Sequence, residues 1–323
     1  SRLPLLSLAL SATFLVGCPD NAGNPPPADH LFYPIAAVVA GTDARPFLYV
    51  VNSNFDLKYN GSTVVAIDLA PLRNRARDPA NCAPDTESLT GAQVCRDSEF
   101  ITERFTRKLN PFAIDAAAAT YTWQDSAGTV MNARRLYVLV RGGNSLSWFD
   151  LNPDDGSLDC GAPPPSGGVV ESLCAARYQA GTDSAQSEAN TRLPFDPSAL
   201  SIDPGCGWIT VTHQSSDPNL PRATLFRDSI YDGRTARASA APKLINVVGN
   251  LAPGLSSLAL LTPTASPGGG LCPESSRSTW IATSRSDPSF TFLQAYPGNR
   301  TLSDRAYLYR SNAVNITGLN TGS

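Results

Sequence analysis

The clearest hydrophobic pattern lies between Arg135 and Leu151, where the chain reads as strand, turn and strand. The first of these strands is apolar on both faces, with Leu136, Val138 and Val140 on one face and Tyr137 and Leu139 on the other. The turn Arg141-Gly142-Gly143-Asn144 supplies residues that tolerate the positive φ of a hairpin. A strand with two apolar faces must be covered on both sides, so the pattern predicts neighbouring sheets.

Four blocks of the chain follow one plan, in which a proline leads into an apolar strand and further strands follow. The predicted first strands are Ile35–Val39, Phe112–Ala118, Ser198–Ile202 and Leu255–Leu261. The second strands are Phe47–Val51, Leu136–Val140, Trp208–Thr212 and Trp280–Thr283, and the third are Thr63–Leu69, Ser145–Leu151, Thr224–Arg227 and Phe290–Ala295. Fainter fourth strands are Phe100–Phe105, Val169–Leu173, Lys243–Val248 and Ala306–Tyr309. Repeats of four short antiparallel strands are typical of a β-propeller.

The predicted fold class is therefore all-β, a β-propeller of four-stranded antiparallel blades with about four blades in residues 31–323. The second strands begin at residues 47, 136, 208 and 280, and these steps exceed the usual blade of about 40–50 residues. Insertions are expected in the cysteine-bearing segments 70–98 and 152–193, with a short helix within 172–190. Four blades rarely close a ring, so we expect an incomplete ring and roughly six to eight blades in the intact protein.

Two stretches carry a family resemblance. RPFLYVVNSNFDLKYNGSTVVAIDL and RRLYVLVRGGNSLSWFDLNPDDGSL are similar to repeats of the YVTN-type seven-bladed propellers, with Tyr-Val, then Asn, then an apolar strand ending in Ile-Asp or Phe-Asp. That family includes surface-layer proteins, binding proteins and lactonases. The resemblance therefore implies a shape, and leaves a binding role and a lactonase-like activity both open.

The N-terminus has the pattern of an export signal. Leu3–Val16 is almost wholly apolar and follows Arg2, and it is shorter than the roughly 20 residues of a membrane span. Leu15-Val16-Gly17-Cys18 then resembles the lipobox of bacterial lipoproteins, in which the cysteine is lipidated. We expect a signal peptide over residues 1–17, lipidation at Cys18, and a flexible Pro- and Asn-rich tether over residues 18–30. The predicted location is the bacterial outer membrane or cell envelope.

The remaining cysteines are even in number. They are Cys82, Cys95, Cys160, Cys174, Cys206 and Cys272. An exported protein meets an oxidising compartment, so up to three disulfides are expected, and six cysteines allow 15 pairings. Short loops favour Cys82–Cys95 and Cys160–Cys174, which would leave Cys206 with Cys272.

Charge excludes one class of partner. Charged residues make up 16% of the chain and the net charge is −3, with no block of like charge. A nucleic-acid partner is therefore not expected. The expected partners are the membrane, through the lipid anchor, and an envelope protein or polysaccharide.

Candidate ligand-binding residues lie in loops that should share one end of the propeller. Asn52, Asn54 and Asp56 offer oxygen atoms at alternating positions, which suits Ca²⁺, but a hairpin loop that bonds its own backbone is the favoured interpretation. Arg141 and Asn144 belong to the turn of the opening hairpin.

His213 follows a strand and is the one candidate for a general base, although a hydrogen-bonded structural histidine is the favoured interpretation. The tryptophans Trp123, Trp148, Trp208 and Trp280 are expected in the core rather than in a sugar-binding platform. No catalytic or metal residue and no cofactor is predicted. The sequence thus favours a lipid-anchored binding or scaffold propeller, with a lactonase-like or other hydrolytic propeller as the alternative.

Overall fold

A computed structural model describes residues 23–77, 82–84, 93–124, 127, 129–182, 192–215, 217, 220, 222–228, 241–262, 277–297 and 306–315. Within these residues the chain forms four successive antiparallel sheets, each built in the same strand order. This arrangement confirms the predicted all-β, propeller-like fold with about four blades. No helix in the described part of the chain is long and apolar enough to span a bilayer.

The first two sheets, blades 1 and 2, contain nine strands, and a separate two-stranded ribbon is inserted along the chain before the last strand of blade 1. Blade 1 comprises β1 (Pro34–Gly41), β2 (Pro46–Asn52), β3 (Ser62–Asp68) and, after the two-stranded ribbon β4 (Ala83–Pro84) and β5 (Gln93–Val94), β6 (Arg107–Leu109). Blade 2 comprises β7 (Ala113–Gln124), β8 (Val130–Val140), β9 (Ser145–Leu151), β10 (Leu158–Asp159) and β11 (Gln179–Ala180). The predicted hairpin Arg135–Leu151 is formed by β8 and β9.

The last two sheets, blades 3 and 4, have four strands each. Blade 3 comprises β12 (Pro197–Asp203), β13 (Trp208–His213), β14 (Ala223–Arg227) and β15 (Lys243–Val248). Blade 4 comprises β16 (Leu255–Thr262), β17 (Ser278–Ser284), β18 (Ser289–Tyr296) and β19 (Tyr307–Asn315). All strand pairs within the four blades are antiparallel.

The blades pack face to face in chain order. The inner strands β1, β7, β12 and β16 contact one another in succession, and no packing of similar extent joins blade 4 to blade 1 within the described residues. Trp148, Trp208 and Trp280 are almost fully buried between blades, as predicted, whereas the side chain of Trp123 lies outside the described set. Within the described residues the four blades thus follow one another in a row, each packed on the next.

Two fourth strands differ from the prediction. In blade 1 the ladder is made by β6, while Phe100–Phe105 contributes only the bridge of Ile101 to Ile67 and ends in a 3-10 helix, Glu103–Phe105. Its apolar residues do not follow the two-residue period that a strand requires. In blade 2, β10 and β11 share the fourth position beside β9, and the predicted Val169–Leu173 instead meets the N-terminal segment.

The expected flexible tether is wrong for residues 23–30, and residues 18–22 lie outside the described residues. Residues 23–30 belong to the folded body, because Ala28 is fully buried and its backbone N–H donates to Gly168 at 3.0 Å. The Thr106 hydroxyl donates to the Ala28 carbonyl at 2.6 Å, and Val170 N–H donates to the Pro26 carbonyl at 2.9 Å. Prolines lack an N–H donor but keep their carbonyls, so this Pro-rich segment can still dock through backbone acceptors.

The insertions lie where the spacing predicted them. After β3 the chain forms a helix that was not predicted, α1 (Leu69–Arg77), and later a 3-10 helix at Asp97–Glu99. The short helix expected within 172–190 is a 3-10 helix at Ala176–Tyr178. The disulfides Cys82–Cys95 and Cys160–Cys174 close the two insertions, as predicted. Cys206 is disulfide-bonded and fully buried, whereas Cys272 lies outside the described residues.

Blades 2 and 3 are joined by a buried ion pair. Arg135 and Asp228 are both fully buried, and the guanidinium Nη1 donates to Asp228 Oδ1 at 2.7 Å. The Tyr137 hydroxyl also donates to Asp228, and Arg135 Nε donates to Asp150 at 2.9 Å. Arg135 lies 4.1 Å from the centre of the Trp148 ring, which adds a cation–π contact.

A second polar contact joins the inner strands of the same two blades. One carboxylate oxygen of Asp115 accepts from Leu200 N–H at 2.8 Å, and the other accepts from Ala116 N–H at 2.9 Å. Burial raises the pKa of Asp115, while these two donors act in the opposite direction. Polar side chains as well as apolar faces therefore fix how blade 3 sits on blade 2.

Replacing Asp228 with Ala should destabilise the fold by about 3–5 kcal/mol, because the Arg135 charge stays buried without one of its partners. Arg45, whose side chain is 49% exposed and pairs with Asp68 at 3.4 Å, provides a surface control. Arg45→Ala should cost about 1 kcal/mol or less. The free energy of unfolding from urea titration checks both values, and equal losses in the two variants would contradict the assignment.

Candidate functional site

One backbone feature recurs at the same point of every blade. The residue immediately before each inner strand has a positive φ: 56° at Tyr33, 62° at Phe112, 60° at Asp196 and 66° at Gly254. We call these four the rim positions. An L-residue in this left-handed region is disfavoured by roughly 1–2 kcal/mol, and for a bulky side chain it is a true outlier. Only one rim position is occupied by glycine, so three side chains are held there against the backbone preference.

A repeated hydrogen bond holds each rim position. In blades 1 and 2 the carbonyl of Tyr33 accepts from Ser53 N–H at 3.0 Å, and that of Phe112 accepts from Arg141 N–H at 2.8 Å. In blades 3 and 4 the carbonyl of Asp196 accepts from Gln214 N–H at 2.9 Å, and that of Gly254 accepts from Arg285 N–H at 3.0 Å. Each donor is the residue that directly follows the second strand of the same blade. Each inner strand then begins with a bulge. The turns after the second strands and the rim positions therefore lie at one end of the blade row, which we call the rim.

All six predicted ligand-binding residues lie at the rim, but Asn52, Asn54 and His213 are buried there and bonded within the fold. Asn52 and His213 each end a second strand and are fully buried. The Asn52 side-chain amide donates to the Thr63 hydroxyl at 2.9 Å, and His213 Nε2 lies 2.8 Å from the Thr224 hydroxyl. Both therefore fill the same role, tying the end of the second strand to a threonine of the third.

His213 is held in its neutral form. Its Nδ1 lies 3.2 Å from the carbonyl of Phe195, so Nδ1–H donates there and Nε2 accepts from Thr224. Burial lowers the pKa of His213 to about 4, although the hydrogen bond to Phe195 acts in the opposite direction. A buried imidazole with both nitrogens engaged matches the structural interpretation, not a general base.

Asn54 and Asp56 form a loop that bonds to its own backbone. Asn54 is buried, its amide donates to the Tyr59 carbonyl at 2.6 Å, and its oxygen accepts from Tyr59 N–H at 2.9 Å. The exposed Asp56 accepts from Lys58 N–H at 3.3 Å. These contacts match the favoured hairpin-loop interpretation. Among the residues that the structure describes, no group of three His, Cys, Asp or Glu is placed to hold a metal ion.

Arg141 and Asn144 flank the turn of blade 2. Arg141 forms an ion pair with Asp196, the rim position of blade 3, and the two side chains are 41% and 31% exposed. Asn144 takes a positive φ of 42° and donates its N–H to the Arg141 carbonyl at 3.2 Å. Between them, a Cβ on Gly142 would lie 2.4 Å from the Pro111 carbonyl oxygen. The turn is therefore packed tightly against the rim position of its own blade.

Sequence reasoning missed an aromatic row at the rim. Phe55 lies between Tyr33 and Phe112, with ring centres 5.6 and 5.5 Å from them. Tyr33 is 50% exposed and the other two rings are half-buried, while Leu57 beside them is 66% exposed. A usable signal was present, since Tyr33 directly precedes Pro34 and Phe112 directly follows Pro111, the prolines that marked the first strands.

The comparisons with known proteins add little to this geometry. No protein-family model matches the chain, and no curated protein matches it. Among solved structures the chain is similar to the crystal structure of a predicted 6-phosphogluconolactonase from Bacteroides uniformis, with a TM-score of 0.42 and 16% sequence identity. The match covers 91% of this chain and 58% of that one, so this chain spans little more than half of its neighbour.

The neutral state of His213 predicts a pH dependence of stability. Its folded pKa of about 4 lies below the unfolded value of 6.5, so between these values the unfolded chain binds the extra proton. The contribution of neutral His213 to the free energy of unfolding is fully present above pH 6.5. It is lost as pH falls towards 4, by about 1.4 kcal/mol per pH unit. Urea titrations at pH 7 and pH 5 should show this loss in the wild type and a smaller loss in His213→Gln.

The second histidine serves as the control. His30 is exposed, and its hydrogen bond to Asp29 raises its pKa, so its stabilising contribution grows as pH falls. His30→Gln should therefore leave the loss between pH 7 and pH 5 unchanged or slightly larger. An unchanged pH dependence in His213→Gln would contradict the assignment.

Proposed function

We propose that this protein is a lipid-anchored binding module of the bacterial cell envelope and that its ligand contacts the rim. The observation that carries the proposal is the occupancy of the rim positions. The same backbone turn is made with glycine in blade 4, yet blades 1, 2 and 3 use Tyr33, Phe112 and Asp196 there. Residues held in disfavoured backbone conformations cluster at ligand sites, where the side chain supplies the compensating gain.

Solvent access supports a binding role for the same end of the molecule. Tyr33, Asp56, Arg141 and Asp196 combine aromatic and charged groups on neighbouring loops, and each is at least partly exposed. A binding site commonly joins an aromatic surface with a few polar groups that fix orientation. The loops stand on rigid sheets, which suits recognition rather than a large conformational change.

The envelope location rests on the sequence and on the cysteines. Residues 1–22, with the lipobox-like Leu15-Val16-Gly17-Cys18, lie outside the described residues. The disulfides Cys82–Cys95 and Cys160–Cys174 form readily in an oxidising compartment and are rare in a reducing cytosol. Export and lipidation at Cys18 together would hold the blades at a membrane surface.

Lipidation has a direct test. Expression of the chain in a bacterial host fed labelled palmitate should give a labelled protein, because the Cys18 thiol receives the lipid. Cys18→Ser should lose the label and leave the membrane fraction. The double variant Cys82→Ser/Cys95→Ser, which removes cysteines from a surface insertion, should keep it. Equal labelling of Cys18→Ser and the wild type would reject the anchor.

The rim can be tested with two matched arginines. Arg141 at the rim and Arg45 at the opposite end both have half-exposed side chains, and each pairs with an aspartate. Soluble protein starting at Gly23 is mixed with purified envelope fractions, and the bound fraction is measured by sedimentation. Arg141→Ala should weaken binding about tenfold or more, since arginine is common among dominant interface residues. Arg45→Ala should bind as the wild type does, and equal binding by both variants would place the ligand elsewhere.

A further inference from the structure

The aromatic row Tyr33, Phe55 and Phe112 runs along the rim from blade 1 to blade 2. Neighbouring ring centres are 5.6 and 5.5 Å apart, and the ring planes are tilted by 57° and 43°. Rings at these distances touch one another and leave no gap between them, so they form a continuous surface rather than a cage around a cation. Tyr33 is 50% exposed, so the row offers ring surface to a ligand from solvent.

Two of the three rings are held there by an unfavourable backbone. Tyr33 and Phe112 have φ of 56° and 62°, and the equivalent Gly254 makes the same turn without that penalty. The rim hydrogen bond uses the backbone carbonyl in each case, so the turn itself does not need an aromatic side chain. What distinguishes blades 1 and 2 is therefore the presence of the rings.

The charges around the row are balanced. Asp56 and Lys58 are both exposed and carry opposite charges, and Arg141 is paired with Asp196. The Lys58 ammonium also lies 5.4 Å from the Tyr59 ring centre. Neither an anionic nor a cationic ligand is favoured by this arrangement, since the local charges cancel within a Debye length. A neutral ligand with many hydrogen-bonding groups fits best.

A sugar ring has this chemistry. Its faces carry C–H bonds that pack on aromatic rings, and its edge carries hydroxyls that bond to groups such as Asp56, Asn144 and Arg141. A protein partner would call for a wider apolar patch, because interfaces bury an extended surface with an apolar centre. Here the exposed apolar side chains Tyr33 and Leu57 alternate with polar ones, since Asp56 and Lys58 of the same loop are also exposed.

We propose that the aromatic row Tyr33–Phe55–Phe112 is a binding platform for a neutral saccharide chain of the cell envelope. This inference rests on the proposed binding role of the rim and names its ligand class. Sugar rings stack along the row, and the polar side chains at its edges bond to their hydroxyls. The platform belongs to blades 1 and 2, and blades 3 and 4 need not contribute an aromatic ring.

The experiment uses glycine as the informative substitution. Cellohexaose, maltohexaose and chitohexaose are titrated into the protein by calorimetry, with Tyr33→Gly and Phe112→Gly as variants. At least one oligosaccharide should bind the wild type, and each variant should weaken that binding at least tenfold. The Tm of both variants should be unchanged or higher, because glycine accepts the positive φ. Structural rings would show the reverse, with a lower Tm and unchanged affinity, and that result would overturn the proposal.

A second aromatic row provides the control. Tyr296, Tyr307 and Tyr309 have ring centres 5.1 and 5.6 Å apart at the opposite end of blade 4, and Tyr307 is 44% exposed. Tyr296 and Tyr307 are cross-strand partners and Tyr309 lies two residues further along the same strand as Tyr307, so ordinary packing accounts for them. Tyr307→Ala should leave saccharide affinity unchanged, and a tenfold loss there with none in the rim variants would also overturn the proposal.

The two proposals fail in different ways. If none of the three oligosaccharides binds while Arg141→Ala still weakens binding to envelope fractions, the saccharide platform is wrong and the rim remains a binding site. If Arg141→Ala and Arg45→Ala bind envelope fractions equally, the proposed binding role of the rim is itself wrong.

Discussion

The structure depends on one requirement, that each sheet be covered on both faces. The central strands of blade 2 show it most clearly, because Leu136, Tyr137, Val138, Leu139 and Val140 are all fully buried although they point alternately to opposite sides. A single sheet would leave these apolar faces exposed to water, whereas neighbouring sheets of the same kind cover both of them. The burial of the tryptophans between blades and of the ion pair between blades 2 and 3 both follow from sheets stacked face to face.

Stacking also buries an ion pair between blades 2 and 3. Arg135 begins the buried part of β8, and its guanidinium must find partners where the next blade covers it. Asp228 comes from blade 3, Asp150 from the next strand of the same blade, and Trp148 provides a ring face. Such a pair contributes little net stability compared with apolar packing, but it penalises any other arrangement of the two blades. The main effect of the ion pair is therefore to favour one arrangement of blades 2 and 3 over the others.

The strand plan was readable from the sequence because it is a local pattern. The hairpin Arg135–Leu151 and the disulfides Cys82–Cys95 and Cys160–Cys174 depend on alternation and short spacing, and both were predicted. The fourth strands of blades 1 and 2 were not, since short segments there compete for the same edge and tertiary contacts decide among them. The docking of Ala28 against Gly168 could not be predicted from the sequence either, because the composition of residues 23–30 favours disorder.

The sequence indicated which end of the blades the candidate residues share, but not what surrounds them. Turn residues such as Asn54 and Asn144 indicated one end of the blades, and all six candidates lie there. Nothing in the identity of Tyr33 or Phe112 reveals a positive φ, because backbone torsion at these residues is imposed by the junction between blades. The prolines beside Tyr33 and Phe112 indicate where these two rings lie, but the contact of both rings with Phe55 and the pairing of Arg141 with Asp196 required the three-dimensional structure.

The rim hydrogen bond has a consequence for how such a protein changes over time. Because a main-chain carbonyl holds each turn, the side chain at a rim position is not needed for folding, and Tyr33, Phe112, Asp196 and Gly254 occupy equivalent turns. Each blade therefore carries one position where substitution changes the side chain presented at the rim while the scaffold persists. The surface of the rim can change by single replacements at four separate points, without an insertion, a new loop or a change in the order of the strands.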